Sequence, residues 1–465
     1  MDILLTKLII LGGKNMRRVV INNFGAIKEI DICLDRKLQV IIGEQASGKS
    51  TLAKIIYFSL KVRDYLLDYL TTSENFKQIH PNEQYLAFLK YVRKQFMGCF
   101  GTTKHMNSFS IIFDYDVEQQ CKQVKKLIIT LNQKYAKIVF SPFLMERIGM
   151  LIREAAEIFE QQDKIHPLSV YDNVFNDLRT RELIRQKFSQ GVNDLFKEDE
   201  EIVYIPAGRS ILSTMSEQLK EIDTTDITQL DLPLKEFIAL IQKTKPFFGS
   251  RIPDIVKDYT KTVTGQIRNN DVNLAYGIIK KILKADYVNE RDGEKLYYSG
   301  NKWVKLMYAS SGQQESLWIL LLFFLRILRN QRVFMVLEEP EAHLFPSAQK
   351  NMIEMIALLV FSTNSEVFVT THSPYILTSI NLLTYSGKVE NLIKAGTDTV
   401  VPKQFRISPQ QLAAYKISND EMFSFSSLID SKEMLINAEA IDTISEELNN
   451  DTDKIMDMEV SMNDL

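Results

Sequence analysis

The segment at residues 43–50 (GEQASGKS) constrains this chain more than any other part of its sequence. It fits the pattern G-x-x-x-x-G-K-[ST] at every position, in which glycines let backbone N–H groups surround a phosphate chain. Residues 37–43 (KLQVIIG) predict a short strand before it, and the apolar spacing after residue 48 predicts a helix. A loop between a strand and a helix N-terminus favours phosphate binding over an ordinary turn.

The phosphate-binding segment assigns roles to particular side chains. Lys49 is expected to reach the β- and γ-phosphates, and the hydroxyl of Ser50 to bind Mg²⁺. The sequence therefore predicts ATP and Mg²⁺ as the ligands of this loop. The predicted nucleotide-binding residues are Gly43, Glu44, Gln45, Ala46, Ser47, Gly48, Lys49, Ser50 and Thr51.

A second candidate is the apolar stretch at residues 333–340 (VFMVLEEP), which ends in two carboxylates. Its continuous apolar run predicts a strand of a parallel sheet that is covered on both faces. Glu338 is expected to hold Mg²⁺, directly or through water, and Glu339 to activate the attacking water as general base. Two glutamates after a strand are also a common solvated strand end. Their place after a phosphate-binding segment favours the catalytic interpretation.

A third candidate is a histidine at the end of another apolar stretch, residues 366–373 (EVFVTTHS). A lone histidine at a strand end is more often structural. His372, however, lies 34 residues after Glu338, where a sensor of the γ-phosphate is expected. We therefore predict that it belongs to the same site.

Small residues precede a long apolar helix, predicted over residues 315–329, in the segment SSGQQE at 310–315. A glycine among serines at a helix start is typical of a phosphate-seeking site, although serine also favours an ordinary N-cap. Its location 28 residues before Glu338 favours the phosphate site. The predicted residues of this segment are Ser310, Ser311, Gly312 and Gln313.

In this order, GEQASGKS, SSGQQE, VLEEPEAHLFP and TTHSP resemble the ABC-type ATPases of the branch that contains SMC proteins, RecF and the OLD nucleases. The resemblance implies an α/β fold, a P-loop ATPase head with a mixed sheet plus helices, which dimerises around ATP. Residues 310–313 match the LSGGQ signature motif of this family, with Ser311 in place of its first glycine. The resemblance implies that this motif faces the nucleotide of a second subunit. Glu338 replaces the more usual aspartate, and residues 341–346 take the place of the D-loop. His372 matches the switch histidine.

One further segment, residues 204–209 (YIPAGR), is similar to a motif of the same subgroup. It lies where a Q-loop strand is expected, but it contains no glutamine. Arg209 is therefore either part of the site or a structural salt-bridge residue, and the sequence leaves both open.

What is missing from the sequence narrows the function that the resemblance implies. The SMC proteins need a long coiled coil, and no long heptad pattern occurs between the two halves of the head. The OLD nucleases add a Toprim domain after the switch histidine. Here 93 residues follow His372, and their Asp-x-Asp at 451–453 lies in a polar tail. The chain thus resembles the stand-alone ATPases of antiphage systems such as Septu or PARIS.

This resemblance implies two kinds of partner: further copies of the chain, in a homodimer or higher homo-oligomer, and a separately encoded effector, an HNH or Toprim nuclease. The alternative is an ATPase of RecF type that binds duplex DNA directly in repair or recombination. A slow ATPase that acts as a scaffold is a third, weaker hypothesis.

Charge gives the DNA-binding alternative little support. The formal net charge of −3 hides a tail, residues 431–465, with ten acidic side chains and two lysines. The remainder has a net charge of only +5, with basic clusters at residues 122–126 and 179–187. Such clusters are usually solvated helix faces.

The expected organisation has four parts. Residues 1–63 and 201–390 form the two halves of the ATPase head, and residues 64–200 a mainly helical insertion with strand-like runs near 108–114 and 126–131. Residues 391–465 form a C-terminal region with the acidic tail. Families of this branch typically start near a segment like residues 16–25 (MRRVVINNFG), so the resemblance implies that Met16 is the native start and residues 1–15 an upstream extension. Three cysteines without metal-ligand spacing, and no apolar run of membrane length, predict a cytoplasmic protein with no membrane partner.

Overall fold

The computed structural model describes residues 16–76, 80, 83–117, 124–132, 135–163, 170–209, 230–262, 268–299, 302–390, 400–418 and 425–437. The hypothesised extension 1–15, the Asp-x-Asp at 451–453 and most of the acidic tail lie outside these residues. Among the helices in the described ranges, none has the length and apolarity that crossing a membrane requires.

The chain has an α/β fold of sheets and helices, as predicted. The strands of the described residues are β1 (Arg17–Phe24), β2 (Ile27–Leu34), β3 (Leu38–Gly43), β4 (Ser110–Asp114), β5 (Lys126–Asn132), β6 (Tyr135–Phe140), β7 (Glu201–Ile205), β8 (Asp286–Glu290), β9 (Gly293–Tyr297), β10 (Trp303–Lys305), β11 (Val333–Glu338), β12 (Glu366–Thr371), β13 (Leu412–Ile417) and β14 (Phe425–Ser427). The longer helices are α1 (Lys49–Thr71), α2 (Gln84–Phe100), α3 (Pro142–Asp163), α4 (Val170–Phe196), α5 (Leu232–Thr244), α6 (Ile252–Thr262), α7 (Asn269–Leu283), α8 (Ser311–Arg329), α9 (Pro346–Thr363) and α10 (Pro374–Lys388).

A six-stranded sheet in the order β14-β13-β3-β12-β11-β7 brings the predicted motifs together. Its five strands from β13 to β7 are parallel, and only β14 is antiparallel. Every residue of β11 and of β12 is buried, as their continuous apolar runs predict. Because parallel strands end at the same edge of a sheet, the loops after β3, β7, β11 and β12 meet there.

Two apolar cores cover the two faces of this sheet. Along β11, Phe334 and Val336 point into the core that contains α1 and the antiparallel sheet. Val333, Met335 and Leu337 point into the core that contains α8, α9 and α10. This alternation follows from the two-residue period of a strand. It fixes the register of the strand whose end carries Glu338.

The second sheet is antiparallel and has the order β2-β1-β4-β5-β6. Strands β1 and β2 form the predicted hairpin, in which Gly25 adopts a positive φ of 61° in the turn. Strands β4, β5 and β6 come from the range expected to be a mainly helical insertion, and β6 was not predicted. They continue the sheet of β1 because their buried alternate residues join the same core.

Among the described residues of the range 64–200, the helices α2, α3 and α4 account for most positions, and the three strands join the sheet of β1. The boundary expected at residue 64 falls inside α1, which runs without interruption from residue 49 to 71. The division of the chain into independently folding units stays a prediction. The three helices predicted over residues 232–284 and the small antiparallel unit β10-β9-β8 are both present.

A buried charge network joins the amino ends of β1, β7 and β12. The guanidinium of Arg17 forms ion pairs with the carboxylates of Glu198 and Glu366, and each of the three side chains is at most 4% exposed. Removing one partner of a buried ion pair leaves an uncompensated charge, which is more costly than losing an exposed pair. The network therefore predicts a strong dependence of stability on Arg17.

We expect Arg17→Met to lower the free energy of unfolding by about 3–5 kcal/mol, measured by urea denaturation. Arg18→Met is the matched control, because Arg18 pairs with Asp31 at the surface, where both side chains are more than 40% exposed. That control should lose less than about 1 kcal/mol. If both variants lose the same free energy of unfolding, the buried network stabilises the fold no more than an exposed ion pair does.

Candidate functional site

The loop between β3 and α1 is shaped by two glycines that no other residue could replace without strain. Gly48, at the N-cap of α1, has a φ of +99°, and a Cβ there would lie 2.6 Å from Cγ1 of Ile27. A Cβ on Gly43 would lie 2.2 Å from the carbonyl oxygen of Ile417. The loop is thus closed against β2 on one side and β13 on the other. It precedes a 23-residue helix whose positive dipole end favours an anion.

Lys49 lies in the first turn of α1 and is 6% exposed. Its Nζ donates hydrogen bonds to the carbonyl oxygens of Gly43 at 2.8 Å and Glu44 at 2.5 Å, and to Oγ of Ser47 at 3.3 Å. Burial lowers the pKa of Lys49, whereas nearby carboxylates, above all that of Glu339, act to raise it. The ammonium group therefore lies within the loop, held by acceptors that phosphate oxygens could replace.

Glu338 ends β11 with its side chain buried at 4% exposure. One carboxylate oxygen, Oε2, accepts a hydrogen bond from the backbone N–H of Ala207 at 3.1 Å. The other, Oε1, is buried and has no hydrogen-bond partner within the part of the chain that the structure describes. A buried, unsatisfied carboxylate oxygen at the end of the strand fits a hard cation such as Mg²⁺.

Glu339 and His372, predicted separately, are adjacent in the structure. The N–H of Glu339 donates to the carbonyl oxygen of Thr370 at 2.8 Å, which ties the turn after β11 to β12. Nε2 of His372 lies 3.6 Å from Oε1 of Glu339, and each side chain is about one-third exposed. Glu339 has a φ of 42°, a conformation that costs a non-glycine residue energy and is found where surroundings impose it.

Sequence reasoning missed the role of Glu341 in this arrangement. Its Oε1 accepts hydrogen bonds from Oγ1 of Thr371 and from the N–H of His372, both at 2.7 Å. Burial raises the pKa of the Glu341 carboxyl, and these hydrogen bonds oppose that shift. Glu341 therefore fixes the loop that carries His372. The only signal in the sequence was a third glutamate two residues after Glu339.

The segment 310–313 forms the start of α8, which begins at Ser311 and not at the predicted residue 315. Ser310 is the N-cap, and its hydroxyl and the Gln313 side chain form a capping box. Ser310 and Ser311 are exposed, whereas a Cβ on Gly312 would lie 2.7 Å from the carbonyl oxygen of His343. The structure thus accounts for the N-cap interpretation, and it leaves both serines accessible to solvent at the helix terminus.

The sequence left open whether Arg209 is a structural salt-bridge residue or part of the site, and the structure shows a buried salt bridge beside the candidate site. Arg209 is 1% exposed and forms an ion pair with Glu315, with Nε 3.4 Å from Oε2. Its guanidinium also donates to the carbonyl oxygens of Pro206, Glu338 and Glu339 at 2.6, 2.7 and 2.9 Å. Burial lowers the pKa of Arg209, and the carboxylate of Glu315 counteracts this most strongly. The arginine is structural, and it contacts the turn that carries the candidate base.

A partly buried carboxyl on α5 gives a prediction of pH dependence. Glu236 on α5 accepts a hydrogen bond from the hydroxyl of Tyr57. Burial raises the pKa of Glu236 to about 7, from an ordinary value near 4.5. Between about pH 4.5 and pH 7 the folded protein therefore keeps this proton, whereas the unfolded chain has lost it. The free energy of unfolding consequently falls as the pH rises through this range.

We expect Glu236→Gln to remove this penalty, because an amide stays neutral at every pH. The variant should gain stability relative to the wild type at pH 8 and should gain little at pH 4.5. Thermal or urea unfolding at both pH values measures the difference. An equal change at the two pH values would mean that ionisation of Glu236 does not affect folding.

Comparison with known proteins places these residues in a family. The model of the AAA_15 family, described as an AAA ATPase domain, matches residues 16–377. None of the curated proteins matches the sequence.

Solved structures give a more distant likeness. An SMC head bound to the C-winged helix domain of ScpA is 12% identical, with 78% of this chain and 91% of that chain covered and a TM-score of 0.36. The SMC head domain from Thermotoga maritima is 13% identical, with 78% and 92% covered and a TM-score of 0.32. An SMC head domain with an extended coiled coil, bound to the C-terminal domain of ScpA derived from Pyrococcus furiosus, is 12% identical, with 94% and 99% covered and a TM-score of 0.37.

These TM-scores are too low to carry an argument, so the assignment rests on the family model. That model spans the phosphate-binding loop, the two carboxylates at the end of β11 and the histidine after β12. The chain belongs to the AAA ATPase domain family, and it is an ATPase.

Proposed function

We propose that two copies of this chain bind ATP at a shared interface, close around it, and reopen after hydrolysis. The observation that carries the proposal is the pairing of Glu339 with His372 at the sheet edge next to the phosphate-binding loop. Their atoms lie 3.6 Å apart, and both side chains keep access to solvent. A base that must meet a water and a phosphate needs such access.

Each candidate residue then has one task. Lys49 would contact the β- and γ-phosphates after giving up its bonds to the loop carbonyls. Glu339 would accept the proton of the attacking water, and His372 would hold the γ-phosphate oxygens and sense their departure. Ser50 and Glu338 would hold Mg²⁺, which neutralises charge on the phosphates when bound. These roles follow the family resemblance and the positions of the side chains.

The second copy would supply the start of α8. Ser310 and Ser311 are exposed at a helix N-terminus, where N–H groups and hydroxyls favour a phosphate. In the proposed dimer these groups contact the γ-phosphate bound to the other copy. ATP would therefore connect the two subunits, and its hydrolysis would remove that connection.

Molar mass in solution tests this step. With Mg²⁺ and a non-hydrolysable ATP analogue, light scattering should show the mass of two chains, and without nucleotide a smaller average mass. Ser311→Arg should remain at the smaller mass because a long cation at the helix start obstructs the interface. A mass that does not change with nucleotide, in the wild type and in the variant, would contradict ATP-dependent dimerisation.

We further propose that the dimer is the regulatory ATPase of an antiphage defence system and controls a separate nuclease of HNH or Toprim type. Strands β13 and β14 come from the C-terminal region and extend the ATPase sheet, so residues 412–417 and 425–427 have a structural role in the head. Co-expression with the protein encoded by the neighbouring gene tests the proposal. Co-purification and an ATP-dependent nuclease activity are expected, and neither should occur with Lys49→Ala.

The alternative function, direct binding of duplex DNA, is tested by adding DNA to the purified ATPase. On α4, Arg181 lies 3.7 Å from Glu74 and Lys187 lies 3.6 Å from Glu154, so carboxylates accompany part of the basic cluster. If duplex DNA stimulates the ATPase and binds with a steep dependence on salt, a role of RecF type replaces the defence role.

A further inference from the structure

Arg209 connects two parts of the ATPase that are 106 or more residues away from it in sequence. Its Nη1 and Nη2 donate to the carbonyl oxygens of Glu338 and Glu339, in the turn after β11. Its Nε donates to the carbonyl oxygen of Glu315 at 3.0 Å, and its backbone N–H donates to Oε2 of Glu315 at 2.9 Å. One buried side chain thus contacts both the turn that carries the candidate base and the first turns of α8.

The geometry of this contact restricts the turn. A guanidinium is planar and presents its donors in a fixed fork, so two neighbouring carbonyl oxygens bound to it cannot move independently. Glu339 adopts a positive φ that surroundings must impose, and the carbonyl bound by Nη2 is its own. Arg209 therefore holds the backbone from which the candidate base extends.

A second contact connects the start of α8 to the segment that follows the base. A Cβ on Gly312 would lie 2.7 Å from the carbonyl oxygen of His343, so the helix backbone rests directly on this segment. Glu315 is three residues further along the same helix and is 1% exposed. A displacement of the first turn of α8 would consequently act on the turn after β11 through both contacts.

We propose that Arg209 is a positioning residue for ATP hydrolysis. It places Glu338 and Glu339 through their backbone carbonyls, and its ion pair with Glu315 makes that placement depend on the position of the α8 N-terminus. In the proposed dimer, the nucleotide of one copy contacts this helix start in the other copy. Nucleotide bound to one copy then affects, through Arg209 of the other copy, the position of Glu338 and Glu339 in that other copy. The inference rests on the proposed roles of Glu338 and Glu339.

Arg209→Lys is the direct test, because it keeps the charge and loses the fork. Misplacing a base by about 1 Å costs on the order of 100-fold in rate, so kcat should fall by about that factor. The KM for ATP should stay within about threefold, since the phosphate-binding loop is untouched. Arg326→Lys is the matched control. Arg326 is buried in the same helix α8 and pairs with Glu201 at 2.7 Å, and its replacement should leave kcat unchanged.

Glu315→Gln supplies a second variant if the arginine replacement does not fold. Its amide oxygen can still accept from the Arg209 N–H, but the ion pair is lost, so kcat should fall about tenfold with ATP binding retained. The effects of the two substitutions should be less than additive in the double variant, because both act through one contact. If kcat in both single variants only follows the folded fraction, as in Arg326→Lys, the inference is wrong.

Glu339→Gln, measured in parallel, separates this inference from the proposed function. A nearly inactive Glu339→Gln together with a wild-type kcat for Arg209→Lys and Glu315→Gln would overturn only the role of Arg209. A fully active Glu339→Gln would instead overturn the proposed function on which that role depends.

Discussion

Replacing Glu339 by glutamine should stop ATP hydrolysis while preserving ATP binding. Glutamine has nearly the shape of glutamate but cannot accept the proton of the attacking water. A general base typically contributes about 10²- to 10⁴-fold to a rate, so kcat should fall by that range. The ATP affinity should change little, because Lys49 and the loop at residues 43–50 remain intact. In the proposed cycle this variant accumulates as the closed dimer.

Steady-state phosphate release, ATP titration and light scattering measure the three properties in one preparation. Glu354→Gln is a suitable control, since Glu354 is a buried carboxylate on α9 that pairs with Lys350 at 3.1 Å. It should retain the wild-type rate. If Glu339→Gln also hydrolyses ATP at the wild-type rate, the assignment of the base is wrong.

Replacing Lys49 by alanine should abolish measurable nucleotide binding. The Lys49 ammonium group is already buried in the loop, and its hydrogen bonds to carbonyls would be exchanged for stronger ones to phosphate oxygens. A hydrogen bond to a charged group contributes about 1.5–3 kcal/mol, so loss of two weakens binding by at least about 100-fold. Titration with a fluorescent ATP analogue measures the effect.

Lys54→Ala is the control for this experiment. Lys54 lies on the same helix and pairs with Asp231 near the surface, so its loss should leave ATP affinity within about twofold. Circular dichroism establishes that both variants fold. An affinity of Lys49→Ala within a few-fold of the wild type would contradict the assignment of this loop as the nucleotide site.

The elements that carry the site could be predicted because their physical requirements are local. Strands β11 and β12 are buried on both faces, so each is a continuous apolar run in the sequence. The loop before Lys49 needs glycine at two positions, and only glycine tolerates the contacts found there. Glu339 and His372 each follow one of these strands. Because parallel strands end at the same edge of a sheet, their common site could be predicted from the sequence.

The parts that escaped prediction depend on contacts between distant residues. Strand β6 alternates exposed and buried residues and pairs with β5, its neighbour in sequence, but the core that both strands face is built largely by elements far away in the sequence. The ion pair of Arg209 with Glu315 spans 106 residues, and no spacing rule indicates it. Glu341 was visible as a charge, but its hydrogen bonds to the loop of His372 arise only when β11 and β12 pair.

The central claim, that each ATP is shared by two copies, is tested most directly by mixing two inactive variants. Lys49→Ala lacks a nucleotide loop, and Ser311→Arg lacks a functional α8 start, so neither should hydrolyse ATP alone. A mixed dimer contains one intact loop facing one intact helix start. Because neither variant is expected to dimerise by itself, activity that returns on mixing belongs to this mixed dimer. With one of its two sites intact, the mixture should reach at most about half of the wild-type activity. If the mixture stays as inactive as its components, the shared site is contradicted.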